Sequence, residues 1–546
     1  MSLSTHFPKK IQKMLSHKNN GLYKNYNKIF YLWLKQILDC MPLLKSIVNW
    51  ITIKRMNEID LFRKYPADVQ RDVLLSLIDE AKDTEWGTEY NYDSIKSYEH
   101  FKKQVPIQEY NDIKPYVDRL RKGERDILWP GEIKWFAKSS GTTDDKSKFI
   151  PVSKEAIEDC HFRGGKDVMY FNEELFPENR ILKGKGLIVG GSHKINNFSN
   201  ESYFGDLSAI LIENMPFYAD FLRTPKSSIA LMDNWEQKLD QMANATIKEN
   251  VTNISGVPSW TLVLLKHIID ITGKNNILEV WPNIELFIHG GVSFIPYREQ
   301  FKKIIPTSNM HYLETYNASE GFFGIQDDED DDSMLLMLDY GIFYEFIPMS
   351  EYGNPDAQTL CIDEVETDVN YAVLISTNGG LWRYIIGDTV KFTQTKPHKF
   401  VITGRTRHFI NAFGEELIVE NAVKALQIAC EKTGAHILDY TAAPIYMGLE
   451  TQGAHQWLIE FEKKPENMDY FAYMLDEALK AANSDYESKR FNNYTLDMPK
   501  IIAVEPGTFH RWLEQKGKLG GQHKIPRLSN NRQYVENILQ MINQKV

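Results

Sequence analysis

The residue types best suited to binding phosphate lie in one short stretch, Ser139–Lys148. It reads Ser-Ser-Gly-Thr-Thr-Asp-Asp-Lys-Ser-Lys, so small hydroxyl side chains surround a glycine and two lysines follow. Backbone N–H groups, hydroxyls and ammonium groups of such a loop can all turn toward phosphate oxygens. The spacing differs from the G-x-x-x-x-G-K-[ST] pattern of a P-loop. The stretch predicts a phosphate-binding loop of another kind, with an ordinary surface loop as the simpler alternative.

Two further motifs carry carboxylates at the ends of apolar runs. In Tyr316–Gly321 the tyrosine can stack on a base, and Glu320 can hold Mg²⁺ against phosphate. In Arg383–Asp388 the aspartate follows a glycine at a strand end, where it can accept hydrogen bonds from both hydroxyls of a ribose. The simpler alternatives are a strand end with a capping Ser-Glu pair and an aspartate in a β-turn.

Basic residues mark two later stretches, and a histidine marks an earlier one. Gly404–Ile410 begins Gly-Arg-Thr-Arg-His, and Gly521–Arg527 presents Lys524 on a loop near the end of the sequence. The simpler interpretation of the second stretch is a solvated basic loop. His289 precedes two glycines at a strand end and could border a pocket, but a packing histidine with satisfied hydrogen bonds is favoured.

The sequence predicts neither covalent catalysis nor a disulfide framework. It contains no G-x-S-x-G nucleophile elbow and no cysteine beside a plausible base. The cysteines are far apart and lack C-x-x-C metal spacing, which indicates a reducing, cytoplasmic location; they are Cys40, Cys160, Cys361 and Cys430. The acidic run Asp327–Asp332 predicts a solvated loop, because nothing spaces its carboxylates around a cation.

Composition and periodicity predict a globular α/β protein of several domains. The chain has 546 residues, and its net charge of −11 argues against a nucleic-acid partner. Beyond residue 137, short apolar runs alternate with helical stretches such as Trp260–Ile271, which implies much parallel sheet. We expect a large N-terminal α/β domain in which helices sandwich sheet subdomains. Within it, Met334–Leu338 and Ile342–Ile347 are predicted to pair as a hairpin.

After residue 405 the pattern becomes that of a compact α+β unit. A helix over Ile418–Lys432 is followed by apolar runs and by a second helix over Met468–Asn483. We therefore divide the chain into an N-terminal leader at residues 1–60, a large domain at 61–405 and a small domain at 406–546.

The leader is both basic and apolar. Residues 1–55 hold ten lysines and arginines but a single acid, Asp39. Charges interrupt its apolar runs, so no segment approaches the ~18–20 apolar residues of a membrane span, and no signal-peptide cleavage site follows. One interpretation is a basic amphipathic helix in peripheral contact with an anionic membrane. A helix pair packed on the body of the protein is favoured.

The order of the motifs resembles that of the acyl-adenylate-forming superfamily. A hydroxyl-rich loop, a Gly-Gly pair, Tyr-x-x-Ser-Glu, Tyr-x-x-Gly-Asp, Gly-Arg and a late lysine follow one another in this order. The finer resemblance is to the GH3 branch, the auxin-responsive GH3-like acyl-acid amido synthetases, and to its bacterial members in particular. It extends from Tyr65 to Arg527 and leaves residues 1–60 unmatched. The stretches that carry it include Thr84–Gly87, Trp135–Thr143 and Tyr203–Ile210.

The resemblance implies that the first loop grips the β- and γ-phosphates of ATP. The residues in that role would be Ser139, Ser140, Gly141, Thr142 and Thr143, together with Lys148. In the wider superfamily the loop lysine comes one residue sooner and a glycine follows the two threonines. Because two aspartates stand there in this sequence, Lys146 remains an alternative to Lys148.

Roles for the later motifs follow from the same resemblance. Tyr316 would lie at the adenine, with Ser319 and Glu320 at the α-phosphate and Mg²⁺. Asp388 would bind the ribose hydroxyls, with Arg405 nearby. Lys524 would contact the α-phosphate and the substrate carboxylate from a mobile small domain, which turns about a hinge at residues 404–408.

The resemblance implies a ligation in two half-reactions. ATP and Mg²⁺ convert a carboxylic acid to an acyl-adenylate, and an amine, expected to be an amino acid, then takes the acyl group as an amide. The first step concentrates negative charge on phosphates, so it requires cations and preorganised donors rather than a protein nucleophile. An acyl-CoA ligase that uses the same adenylate is the nearest alternative. A non-catalytic, membrane-associated binding protein is another.

Overall fold

The structure of the protein is a computed structural model. It describes residues 42–140, 147–190, 196–197, 202–216, 219–232, 235–295, 297–354, 357–406, 409–448, 451–490, 495–515 and 525–543. The chain forms two compact units, residues 1–60 and 61–546. Helix α1 (Pro42–Lys64) starts in the first unit, and the predictions made for residues 1–41 fall outside the described residues. Within those residues, every helix is too short or too polar to cross a membrane.

The second unit is built from alternating helices and strands. Its helices are α2 (Pro66–Ala81), α3 (Glu85–Glu89), α4 (Tyr98–Gln104), α5 (Tyr110–Leu120), α6 (Phe162–Leu175), α7 (Leu207–Asn214), α8 (Ala219–Leu222), α9 (Ser227–Ala230), α10 (Trp235–Thr246), α11 (Pro258–Thr272), α12 (Arg298–Ile304), α13 (Val419–Thr433), α14 (Met468–Ala482), α15 (Ser484–Arg490), α16 (Thr508–Gln515) and α17 (Gln533–Asn543). Its strands are β1 (Trp135–Ser140), β2 (Ser147–Val152), β3 (Lys185–Val189), β4 (Asn196–Asn197), β5 (Tyr203–Gly205), β6 (Arg223–Thr224), β7 (Val251–Gly256), β8 (Leu286–His289), β9 (His311–Ala318), β10 (Gly321–Gln326), β11 (Met334–Leu336), β12 (Ile342–Pro348), β13 (Asn370–Thr377), β14 (Tyr384–Thr395), β15 (His398–Arg405), β16 (Phe409–Ile410), β17 (Leu417–Ile418), β18 (His436–Ile445), β19 (Ala454–Lys463) and β20 (Lys500–Val504). The predicted α/β fold class is confirmed.

The largest sheet is parallel in one half and antiparallel in the other. Its strand order is β12-β13-β14-β15-β11-β10-β9-β8-β7-β3-β6. Strands β6, β3, β7, β8 and β9 run parallel, as alternating strands and helices predict. From β9 to β12 each neighbouring pair is antiparallel. A separate sheet of order β2-β1-β5-β4 carries the start of the predicted phosphate loop.

The predicted hairpin of residues 334–338 and 342–347 is wrong. Strand β11 pairs with β10 and β15, whereas β12 lies at the sheet edge beside β13. The connecting residues are held elsewhere, because the Tyr340 hydroxyl donates to Asp167 and the Gly341 carbonyl accepts from the backbone of Asn378. These bonds direct the chain away from β11 to the far edge of the sheet.

Helix α11 joins the parallel half of the sheet to the C-terminal part of the chain. It begins with Pro258 at its first turn and ends at Gly273, whose φ of 63° suits a left-handed cap. Residues 258–265 and Ile268 are buried, whereas Asp270 and Ile271 near the end of the helix are exposed.

The apolar core around α11 is continuous with that of the C-terminal elements. Trp260 and Leu264 belong to the same buried cluster as Phe413 and Trp457. The Tyr297 hydroxyl and the Lys266 ammonium also donate to backbone carbonyls beyond residue 410. The predicted C-terminal helices appear as α13 and α14, which begin and end within a residue of the predicted bounds.

The acidic run Asp327–Asp332 is ion-paired at its ends. The prediction of a solvated loop is wrong at Asp327, whose side chain is 6% exposed, but it holds at Asp332, whose side chain is 65% exposed. Asp327 pairs with Lys399 at 2.9 Å and with Arg63 at 2.9 Å. Asp332 pairs with Arg298 at 2.8 Å. The run therefore ties strand β15 and two helices together, and its middle residues remain exposed.

Arg383, the first residue of the predicted ribose motif, forms part of the buried framework. Its guanidinium donates to both oxygens of Glu345 and to the carbonyls of Lys102 and Val105. Glu345 is 0% exposed and Arg383 is 4% exposed. A buried pair of this kind contributes strongly only while both partners are present.

Replacing Glu345 should therefore destabilise the whole unit. We expect Glu345→Gln to lower the free energy of unfolding by about 3–5 kcal/mol, because it leaves the Arg383 guanidinium buried without its counter-charge. The urea midpoint, followed by circular dichroism, measures the change. The exposed pair of Glu299 and Lys302 provides the control, and Glu299→Gln should shift stability by less than about 0.5 kcal/mol. Equal shifts in the two variants would contradict the assignment.

Candidate active site

Strands β1 and β2 present the two ends of the predicted phosphate loop. Ser139 lies opposite Lys148 in the antiparallel pair, and Ser140 lies opposite Ser147. The connecting residues 141–146 are outside the described part of the chain, so the predictions for Gly141, Thr142, Thr143 and Lys146 are not tested. The hairpin nevertheless brings the first serine and the last lysine of the motif side by side.

Lys148 lies among charges from three other parts of the chain. Its ammonium is 6.0 Å from the centre of the Tyr110 ring. Burial lowers the pKa of Lys148, and the carboxylates of Glu320 and Glu416 oppose that shift. The charge of Lys148 is thus influenced by Glu320, and the choice between Lys146 and Lys148 stays open.

The Tyr-x-x-Ser-Glu motif forms a tight turn between two antiparallel strands. Tyr316 lies on β9. Ser319 and Glu320 form the turn, and Ala318 and Gly321 pair with each other on either side of it. The simpler interpretation as an ordinary strand end is partly right, since the strand does end there. The turn projects Glu320 toward the group of charges around Lys148.

Asp388 is held by one residue from each of two other motifs, Tyr316 and Arg405. The Tyr316 hydroxyl donates to Asp388 Oδ2, and Arg405 Nε pairs with Asp388 Oδ1 at 2.9 Å. Asp388 and Arg405 face each other on β14 and β15. Gly387, with a φ of 91°, supplies the left-handed conformation that precedes Asp388. Tyr316, Asp388 and Arg405, which the sequence assigned to one nucleotide, are therefore brought into contact.

Glu416 is a member of this group that the sequence analysis missed. It accepts a 2.8 Å hydrogen bond from Arg405 Nη2, eleven residues away in sequence. Its φ of 39° is a strained conformation for a residue with a side chain. The only sequence signal was the Gly-Glu-Glu that follows the Gly-Arg motif.

The charges of this group shift the pKa values of Glu320 and Arg405. Burial raises the pKa of Glu320 to about 7, and Lys148 only partly opposes that shift. Burial acts to lower the pKa of Arg405, but the carboxylates of Glu416 and Asp388 raise it above its ordinary value. Cations and carboxylates from four parts of the chain are therefore grouped in this site.

The Gly-Gly pair lies beside the end of strand β9. A Cβ on Gly290 would overlap the carbonyl oxygen of Thr315, and Gly291 has a φ of 79°. His289 stacks on Phe294 at 4.2 Å, and burial lowers the pKa of its imidazole to about 3. His289 therefore packs against aromatic rings as favoured, but the expectation of satisfied hydrogen bonds is wrong at Nδ1, which has no partner among the described residues.

A magnesium ion at this site would be coordinated by one protein carboxylate rather than by a full set of protein ligands. In the described part of the chain, His, Cys, Asp and Glu side chains nowhere gather in threes as metal ligands. A single carboxylate such as Glu320 fits Mg²⁺, which usually keeps waters and takes substrate phosphates as further ligands. Lys524, Arg407 and His408 lie outside the described residues, so their predicted positions are not tested.

Comparison with known proteins decides the family. Three family models match the chain, the GH3 family N-terminal domain over residues 55–310, the central domain over 335–405 and the C-terminal domain over 420–533. The chain belongs to the GH3 family. The GH3 resemblance inferred from the order of the motifs is confirmed, while the division at residues 60 and 405 stays a prediction.

Curated GH3 relatives are similar over most of their length. The chain is 22% identical to the indole-3-acetic acid-amido synthetase GH3.3 of Arabidopsis thaliana, over 87% of this chain and 91% of that protein. It is 24% identical to the 4-substituted benzoates-glutamate ligase GH3.12 of Arabidopsis thaliana, over 84% and 92%. It is 23% identical to the jasmonoyl-L-amino acid synthetase JAR6 of Nicotiana attenuata, over 87% and 93%.

Solved structures share the fold of this chain at low sequence identity. A GH3.15 acyl acid amido synthetase matches with a TM-score of 0.54 and 18% identity, over 87% of this chain and 93% of that one. A 2-hydroxyisobutyryl-CoA ligase matches with a TM-score of 0.53 and 12% identity, over 88% and 93%. At these identities the likeness concerns the fold.

The close approach at Gly290 yields a test of the site's framework. We expect Gly290→Ala to cost about 1–3 kcal/mol of stability, because the added methyl group must displace the end of β9 next to Tyr316. The thermal unfolding midpoint measures the loss. Gly165 in helix α6 has open space around its Cβ position, so Gly165→Ala is the matched control and should not lower the midpoint. A fully stable Gly290→Ala protein would contradict the packing described.

Proposed function

We propose that this GH3 protein is a ligase that activates a carboxylic acid with ATP and transfers the acyl group to an amine. The observation that carries the proposal is the meeting of Lys148, Glu320 and Asp388 in one group of charges. These residues come from separate strand pairs and from distant parts of the sequence. Cations, a metal-binding carboxylate and a ribose-binding carboxylate are what adenylation requires.

In the first half-reaction, an oxygen of the substrate carboxylate attacks the α-phosphorus of ATP and pyrophosphate leaves. Lys148 supplies positive charge for the phosphates at the end of the β1–β2 loop, and Glu320 is the residue that would hold Mg²⁺. A Mg²⁺ ion held there would supply positive charge to the phosphates. Tyr316 and Arg405 fix the orientation of Asp388, whose remaining lone pairs can accept hydrogen bonds from the ribose hydroxyls.

In the second half-reaction, an amine attacks the acyl carbon of the adenylate and AMP leaves. The names of the curated relatives join acids to amino acids, which supports an amino acid as the acceptor. The shared fold of a CoA ligase makes CoA the second candidate. Incubation with ATP, an acid that supports pyrophosphate exchange, and either CoA or the twenty amino acids separates them. Consumption of the adenylate by CoA alone would replace the amide proposal.

We place the protein in the cytoplasm, with small-molecule acids and amines as its partners. The spacing of its cysteines supports a reducing compartment. Peripheral membrane contact through residues 1–55 remains a prediction, and sedimentation of the full chain with anionic liposomes tests it. A protein that neither binds ATP nor exchanges pyrophosphate with any carboxylic acid would favour a non-catalytic binding role.

Asp388 offers the most direct test of nucleotide binding. We expect Asp388→Ala to raise the ATP dissociation constant about 10- to 100-fold, because two hydrogen bonds to a charged acceptor are lost. Isothermal titration calorimetry measures the change. Asp388→Asn keeps the shape of the side chain and should weaken binding less. Exposed Asp72 provides a control, since Asp72→Ala should leave ATP affinity unchanged. Unchanged affinity in both Asp388 variants would exclude the ribose role.

Lys524 tests the proposed turn of the small domain. We expect Lys524→Ala to abolish adenylation, with a loss of about 10²–10³-fold in pyrophosphate exchange, because a charge on the α-phosphate is removed. Amide formation from supplied acyl-adenylate should be affected much less, since Lys524 would have moved away by then. Equal losses in the two half-reactions would argue against domain rotation.

A further inference from the structure

A short π-helical turn packs against the hairpin that carries Ser319 and Glu320. It spans Ala156–His161 and leads directly into helix α6. Turns of this kind are rare, and many of them occur at functional sites. Its last two residues, Cys160 and His161, are 1% and 4% exposed. Neither side chain has a role in the adenylation described above.

Cys160 and His161 bond to two residues that lie directly opposite each other on β9 and β10. The backbone N–H of Phe322 donates to Cys160 Sγ at 3.2 Å. His161 Nδ1 lies 2.9 Å from Asn317 Oδ1. Asn317 and Phe322 form a pair in the antiparallel register and flank the turn of residues 318–321. The π-helical turn therefore holds both strands at the base of the turn that carries the motif.

The start of helix α6 is itself fixed against the sheet. A Cβ on Gly164 would lie 2.6 Å from the Phe322 ring, so this glycine allows the ring to lie against the helix. The Arg163 guanidinium pairs with Asp339 at 2.8 Å. The contact between His161 and Asn317 is thus made by two elements that are anchored independently of it.

The hydrogen bond from His161 orients the Asn317 amide. Burial lowers the pKa of His161 to about 4, so its imidazole is neutral at pH 7 and carries one hydrogen. Asn317 Oδ1 can only accept, so that hydrogen is on Nδ1 and is donated to the amide. The other end of the amide, Nδ2, donates no hydrogen bond among the described residues, and Asn317 is exposed. Two N–H donors of the motif therefore point outward.

Tyr316 and Asn317 point to opposite faces of strand β9, as successive residues of a strand do. The Tyr316 hydroxyl donates to Asp388, the proposed ribose-binding carboxylate, whereas Asn317 contacts His161 on the α6 side. The substrate acid must reach the α-phosphorus at the following turn without overlapping the ribose. The face that Asn317 occupies is the one left for the acid.

We infer that Asn317 binds the carboxylate of the substrate acid through Nδ2, and that His161 is a positioning residue that holds the Asn317 amide in this orientation. An amide N–H binds an oxygen and cannot bind the ammonium group of an acceptor, so the contact belongs to the first half-reaction. A hydrogen bond to a charged carboxylate is stronger than one between neutral groups. This inference rests on the proposed function.

Asn317 is tested through the KM of the acid. The probes are aromatic and straight-chain carboxylic acids, including benzoate and the series from acetate to dodecanoate, assayed by pyrophosphate exchange with ATP. For the acid that the wild-type protein uses best, Asn317→Ala should raise KM about 10- to 100-fold, because a hydrogen bond to a charged group is lost. The KM of ATP should change less than about threefold, because Asn317 faces away from Asp388.

Asn317→Asp is the matched isosteric variant. Its carboxylate still accepts the hydrogen bond from His161, but it cannot donate to the acid and repels its charge. The KM of the acid should therefore rise at least as much as in Asn317→Ala. A wild-type KM in Asn317→Asp would mean that the outward end of the side chain is an acceptor, which contradicts the inference.

His161 is tested by separating its donor from its volume. His161→Phe keeps a ring of similar size but removes the donor, and it should raise the KM of the acid about three- to tenfold. His161→Asn is smaller but places an amide N–H near the position of Nδ1, so its KM should be closer to that of the wild type. If His161 only filled space, phenylalanine would be the milder change and the positioning role would be wrong.

Tyr340→Phe provides the control. It removes another buried hydrogen bond of helix α6, from the Tyr340 hydroxyl to Asp167, and leaves the bonds to Asn317 and Phe322 in place. The KM of the acid should change less than about twofold. An increase equal to that of His161→Phe would show that general loosening of the helix is responsible, and the positioning role would be wrong.

The outcomes separate this inference from the proposed function. If no acid of the panel supports pyrophosphate exchange in the wild-type protein, the proposed function fails and the inference fails with it. If exchange occurs but the KM of the acid is unchanged in both Asn317 variants, the inference alone is wrong. It is also wrong if those variants raise the KM of ATP instead. Should His161→Phe fail to fold, the variants of the exposed Asn317 decide.

Discussion

The candidate active site depends on one guanidinium that holds two carboxylates. Arg405 binds Asp388 through Nε and Glu416 through Nη2, at 2.9 Å and 2.8 Å. A planar fork of donors can satisfy two acceptors in fixed directions, which a lysine ammonium cannot do. Asp388 belongs to the largest sheet, whereas Glu416 lies between the short strands β16 and β17, which lead into the C-terminal elements. The orientation of the nucleotide-binding carboxylate is thus coupled to the beginning of the C-terminal part of the chain.

Local patterns in the sequence were sufficient to predict several helices and to identify the family. The helices around residues 258–272 and 419–433 follow from apolar content and from end signals, and both end at a glycine in the left-handed conformation. The order of the motifs identified the GH3 family, and the structure brings Tyr316, Asp388 and Arg405 into contact. Each of these inferences uses residues near one another in sequence, or a spacing that recurs in related chains.

The errors and omissions arose where distant residues decide the outcome. Strands β11 and β12 were predicted to form a hairpin because they are adjacent in sequence. The residues between them instead form hydrogen bonds with Asp167 and Asn378, and the two strands pair with different neighbours. Asp327 was predicted to be solvated because its partners Arg63 and Lys399 are distant in the sequence. The structural role of Arg383 was not predicted, because its counter-charge Glu345 lies on another strand. Glu416 was missed because only the folded chain shows that it meets Arg405.

The apolar cluster that runs from helix α11 into the C-terminal elements has a thermal consequence. Trp260 and Phe413 share one buried core, so a turn of the C-terminal part would uncover apolar surface as well as break hydrogen bonds. Exposing such surface raises the heat capacity, and the hydrophobic attraction that opposes it weakens on cooling. The equilibrium between the two orientations of the C-terminal part would then depend non-linearly on temperature. The two half-reactions would therefore have different activation energies.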